Sequence, residues 1–182
     1  MVQLRLFRRW CLRTGLKIAL PLLLASGPAL GDPVADYRLK AAIVYNFALF
    51  TTWPADALPA GNDFNVCFLQ APELKQGMQE LAVPTLLGRR LVMQLTYDTD
   101  GLRGCQVLVV GSVPREKWNT LRKSLAGAAV LTVSDEPALQ DRVMMSMATE
   151  GERIVFDVDH TAARAVNLAP SSKLLRLARK VR

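Results

Sequence analysis

The chain has 182 residues, 51% of them hydrophobic, with 23 basic and 16 acidic side chains and a formal net charge of +7. A sequence pI near 9.7 would suggest a nucleic-acid partner if the charge were spread over the folded part. It is not: five of the 23 basic residues and none of the acidic ones lie in the first 31 positions, leaving 18 against 16 and excluding that reading.

Those first 31 residues have their own layout. Arg5, Arg8, Arg9, Arg13 and Lys17 form a basic stretch, an apolar run from Ile18 to Ala25 follows, and Ala29 and Gly31 place small residues just before Asp32. This is the pattern of a cleaved secretory signal. The apolar run is too short for a comfortable membrane span. The expectation is therefore a leader over 1–31 and one domain over 32–182, exported and periplasmic.

In chain order, Val34 to Thr52 reads as a helix. Tyr37, Ala41, Val44, Tyr45 and Ala48 recur at helical spacing, and Leu39, Ile43, Phe47 and Phe50 make the flank apolar too. A helix apolar nearly all round is either buried or meets a partner as well as its own core. Pro54 ends it, and Asp56 to Asp63 is a loop. Phe64 to Leu69 reads as a strand, Pro72 to Leu81 as a helix with proline at its start, and Arg90 to Tyr97 as a strand. After a turn over Asp98 to Gly104, the run Cys105 to Val110 reads as a strand covered on both faces. A helix over Pro114 to Ala126 and a buried strand over Val130 to Val133 follow. Val143 to Ala148 and Arg153 to Val158 flank a hairpin turn. Ser171 and Ser172 start a last helix with Leu174, Leu175, Ala178 and Val181 on one face. The alternation implies an α/β fold: a mostly parallel sheet flanked by helices on both faces, with a late antiparallel hairpin.

Cysteine usage fits export. Past the leader only Cys67 and Cys105 remain. An even count in an oxidising compartment points to one disulfide, worth on the order of 4 kcal/mol in the chain-entropy model. Two buried free thiols in apolar strands are the alternative.

Catalytic chemistry finds no constellation. His160 is the only histidine, which removes any two-histidine metal site, and it reads as a residue at a helix start. There is no glycine-rich phosphate loop, no nucleophile elbow and no CxxC pair. Asp98, Asp100, Asp157 and Asp159 read as solvated turn carboxylates. Ser134 and Asp135 close a buried strand, where open α/β sheets bind ligands, but they also suit a cap before Pro137. No cofactor, metal or catalytic residue is assigned. A binding or regulatory protein is the expectation.

Several stretches, taken together, resemble one family. Tyr37 to Phe47 with Trp53-Pro54 is similar to the opening helix of the YfiR-like family. Asn65 to Leu69 and Cys105 to Val110 resemble its two cysteine-bearing strands, and Val130 to Asp135 its VLTVSD segment. Phe156 to Asp159 is similar to its FEIN segment, and Ser171 to Ala178 matches its SSKLLRLA ending. Asn167 stands where the family has glycine, a mild change because asparagine tolerates the left-handed conformation. The resemblance implies a non-catalytic periplasmic protein that binds and represses the periplasmic sensor domain of an inner-membrane diguanylate cyclase. Cyclic di-GMP and biofilm formation would fall with it, and an outer-membrane lipoprotein can take part in release. A homodimer is compatible with it. The partner surface is expected around Phe156, Val166 and Leu168, with burial of all three in the core as the alternative. A periplasmic solute-binding protein, with its ligand near Gly111 and Ser134, is the alternative function.

Overall fold

The computed structural model describes residues 33–182 apart from 59, 60 and 62; the expected leader lies outside the described residues. Helix α1 (Pro33–Leu49) is followed by a short strand β1 (Thr51–Thr52), strand β2 (Phe64–Leu69) and helix α2 (Pro72–Glu80). Next come β3 (Thr85–Leu86), β4 (Arg89–Thr96), β5 (Val107–Val110), α3 (Arg115–Ser124) and β6 (Leu131–Ser134). The hairpin strands β7 (Met145–Glu150) and β8 (Arg153–Val158) lead to α4 (His160–Arg164), β9 (Ala169–Pro170), α5 (Ser172–Leu177) and β10 (Lys180–Val181).

Eight strands form one sheet in the order β10-β8-β7-β6-β5-β2-β4-β3. The run from β7 through β6, β5, β2 to β4 is parallel throughout. Within this sheet, among the described residues, the β7–β8 hairpin and the β3–β4 pair are the antiparallel ones. The fold is thus α/β and mostly parallel, with the expected late hairpin. β1 and β9 make a separate antiparallel pair that ties the end of α1 to the start of α5.

Strand period explains how the core divides. Successive side chains on a strand point to opposite faces. On β2 and β5, Val66, Phe68, Val107 and Val109 join one hydrophobic cluster with Val44 and Phe47 of α1 and Leu74 and Met78 of α2. The alternate residues Cys67, Leu69, Leu108 and Val110 join a second cluster with Trp118 and Leu121 of α3.

Two glycines set the closest approaches. A Cβ on Gly77 of α2 would lie 2.6 Å from the Tyr37 carbonyl oxygen, so α1 and α2 cross almost backbone to backbone. A Cβ on Gly111, just past β5, would lie 2.0 Å from the Gln70 carbonyl oxygen. Gln70 itself takes a positive φ of 52° as the chain leaves β2. Asn167 also takes the left-handed conformation, with φ of 60°, which explains how it replaces a glycine there.

Four expectations need correction. Cys105 precedes β5 rather than opening it, since the strand begins at Val107. The last helix stops at Leu177, and Ala178 is extended. Val181 therefore lies not on a helical stripe but on β10, parallel to β8. The sheet edge outcompetes the helix: the Arg179 and Arg182 amides donate to the Phe156 and Val158 carbonyls at 2.8 and 2.9 Å. Asp157 is not a solvated turn carboxylate, being only 6% exposed. Finally, the first helix stops at Leu49, so Thr51 and Thr52 lie on β1 and not at the helix end, while β3 and β9 have no counterpart in the sequence reading, because elements of two residues carry too little periodicity to register.

Cys67 and Cys105 form a disulfide with a Cα separation of 5.9 Å, linking β2 to the residue two before β5. Reducing it is expected to lower unfolding stability by about 2–4 kcal/mol, read as a lower urea midpoint in the presence of reductant. Gly111→Ala is expected to cost at least about 1–3 kcal/mol, because its new methyl meets backbone and not a yielding side chain. Chemical denaturation of that variant checks this.

Candidate functional site

Helix α1 presents two apolar stripes, and only one of them is buried. Ala41, Val44, Phe47 and Ala48 face the core and are fully covered. Leu39, Ile43, Asn46 and Phe50 follow each other at spacings of four, three and four, which places them along one outer face. Leu39 is 52% exposed. Asn46 is neutralised as a polar interruption, since its side-chain amide donates to the Ala42 carbonyl of its own helix at 2.9 Å.

This outer stripe runs into a groove between α1, β8 and α5. The groove has a volume of about 230 Å³ and is lined by Ile43, Phe47, Phe50, Phe156, Lys173 and Leu177 among others. Phe156 meets Phe47 edge to face, with ring centroids 5.0 Å apart, a favoured aromatic geometry. The Lys173 ammonium sits 5.0 Å from the centre of the Phe50 ring and gives the groove a cationic rim. Leu177, at its mouth, is 67% exposed. The three expected partner residues do not share one surface. Phe156 lines the groove, Val166 is half-buried and lines a different cavity, and Leu168 is 0% exposed within the core. The α1 flank was legible as an unusually apolar helix. Leu177 was not, because its place in the groove depends on α5 ending where it does.

The carboxyl ends of the parallel strands are occupied by internal contacts. The Ser134 hydroxyl donates to the Val110 carbonyl at 2.7 Å and accepts from the Glu136 amide at 3.1 Å. Asp135 accepts from the Lys40 ammonium at 3.1 Å, and Asp36, one turn before Lys40, takes the same ammonium at 2.7 Å. Burial disfavours the Lys40 charge, but its hydrogen bonds to the two aspartates outweigh that and hold its pKa above the ordinary lysine value. Burial raises the neighbouring Tyr37 hydroxyl, assisted by the charges of Glu73 and Asp135. This cluster fastens α1 to the end of β6. Gly111, at the neighbouring strand end, packs against the Gln70 backbone, and its amide donates to the Leu69 carbonyl at 2.9 Å. His160 opens α4 behind Asp159, whose carboxylate accepts from the Ala162 amide at 2.8 Å as an N-cap.

A second charged cluster holds the edge of the sheet beside the groove. The Arg179 guanidinium forks onto Asp157 with bonds of 2.9 and 2.7 Å and also reaches Glu150. The hydrogen bonds from Arg179 hold the Asp157 carboxyl below its usual pKa, against the opposing effect of burial. A carboxylate depressed in this way adds stability above its unfolded pKa of about 3.9 and loses it as pH falls through the folded value. Arg179→Gln is expected to destabilise the protein by about 1–3 kcal/mol at neutral pH. The difference from the parent should shrink below about pH 3.9. Urea titrations of both proteins across the acid range check this.

No curated protein matches the chain. A family model described as DUF4154, YfiR/HmsC-like, matches residues 37–179, from the first buried turn of α1 to the residue before β10. That span contains Cys67 and Cys105, every strand of the eight-stranded sheet except β10, and every residue quoted above for the groove. The chain therefore belongs to the YfiR/HmsC-like family.

Proposed function

We propose that this protein is an exported, non-catalytic regulator that binds the periplasmic sensor domain of an inner-membrane diguanylate cyclase and holds it inactive. Cyclic di-GMP and biofilm formation fall as a result, and an outer-membrane lipoprotein takes part in release. The family match over residues 37–179 carries this reading. The leader over 1–31 is removed on export, and 32–182 form one domain whose helices cover both faces of the sheet.

Such a protein does no chemistry. It biases a two-state cyclase by binding the inactive state better. Taking that equilibrium from 99:1 to 1:99 requires about 5.5 kcal/mol of differential affinity. The outer face of α1 supplies apolar surface suited to this task, with Leu39 exposed on it and Phe156 and the exposed Leu177 lining the adjoining groove. In this reading Phe156 meets the partner directly. Val166 acts from the neighbouring turn, and Leu168 holds that turn from beneath.

Two tests follow. A tagged protein spanning 32–182 is expected to recover an inner-membrane diguanylate cyclase from solubilised membranes; recovery of no membrane protein would overturn the proposal. Leu39→Glu and Leu177→Glu alter exposed side chains and should leave stability within about 0.5 kcal/mol of the parent. Both are expected to lose repression of cyclic di-GMP in cells. Leu168→Glu should instead fail to fold, because it buries a charge.

A further inference from the structure

A separate cavity shares no lining residue with the α1 groove. It has a volume of about 180 Å³ and is formed where the end of α3, the segment before β7 and α4 come together. Drug-sized sites run to about 300–1,000 Å³, so this one suits a smaller molecule. Its apolar lining includes Val130, Val143, Met144 and Val166. The segment beneath is pinned: the Met144 amide donates to the Thr132 hydroxyl at 3.0 Å, and the Asp159 amide donates to the Met144 carbonyl at 2.7 Å.

Charge around this cavity is unevenly satisfied. Asp141 and Asp159, on its wall, both pair with Arg182, and Asp159 is further engaged as the cap of α4. Arg122 and Arg142 also line it. Among the described residues neither arginine has a carboxylate partner, and Arg142 has only the neutral Asn119 side-chain oxygen at 3.2 Å. Arg182 keeps a buried Nε–H with no partner beside the same two aspartates. Arg122 is exposed and Arg142 half-buried; two guanidinium groups without an ion-pair partner beside an apolar floor match a ligand with a planar anionic head and an apolar body.

We infer that this cavity binds a small organic carboxylate of about one ring in size, its carboxylate held by Arg122 and Arg142 and its body seated on Val143, Met144 and Val166. The site is separate from the α1 groove, and the inference stands whether or not the partner is a cyclase.

The purified protein is titrated with benzoate, benzamide, benzylamine and inorganic phosphate, and binding is followed by NMR amide shifts. Saturable binding of benzoate alone is expected, with shifts centred on Val143, Met144 and Val166. Arg122→Gln breaks no internal contact and should weaken benzoate about tenfold, the loss of one charged hydrogen-bonding partner. The double variant with Arg142→Gln should weaken it further. Absence of saturable benzoate binding, equal binding of benzamide or of bare phosphate, shifts centred elsewhere, or unchanged affinity in Arg122→Gln would each overturn the inference.

Discussion

The fold depends on burying the inner stripe of α1 against the sheet. Ala41, Val44, Phe47 and Ala48 cover strands that are apolar on this face as well as on the other, and a parallel sheet cannot leave such a face wet. Three contacts keep the helix in place. Gly77 lets α2 approach the Tyr37 backbone, Lys40 bridges to Asp135 past the end of β6, and the β1–β9 pair anchors the far end. Once α1 is fixed by its inner face, its outer face has no choice but to look outward. The stripe from Leu39 to Phe50 is therefore a consequence of the same placement that completes the core.

The two faces of the molecule are held by different means. Beneath α1 the contacts are apolar, with Phe47, Phe64 and Trp53 contributing edge-to-face aromatic pairs. The opposite cluster is smaller and carries the Cys67–Cys105 bond beside Leu102 and Leu139. At the hairpin edge, ionic contacts take over. Arg179 and Arg182 tie the last residues to Asp157, Glu150, Asp141 and Asp159. The Arg179–Asp157 pair, with Asp157 largely buried, fixes geometry more than it adds stability, and Asp141 and Asp159 form part of the wall of the smaller cavity.

Most of the longer elements were legible as sequence, because each carries enough turns or alternations to show a period. The strand from Phe64 to Leu69 matches residue for residue, and α2, α3 and the late hairpin differ only at their ends. The chain end was misread for a physical reason. Leu174, Leu175, Ala178 and Val181 do have helical spacing, yet two backbone hydrogen bonds to the free edge of β8 and the ion pair to Asp157 draw Arg179 to Arg182 into the sheet. Asp157 was misread with it: nothing in its local sequence announces a partner 22 residues away.

What the sequence determined by itself is the class of the protein: periodicity assigned strands and helices, and ordered motifs assigned the family. It also marked α1 as more apolar than one buried face requires. Only the tertiary structure decided which side chains share a surface. It placed Phe156 in a groove with α1 and α5, moved Leu168 into the core, and brought Arg122 and Arg142 to one cavity from separate elements. Local patterns encode the face of an element, because that depends on neighbours a few residues away. Convergence of distant faces depends on sheet order and chain crossings, which no local pattern carries.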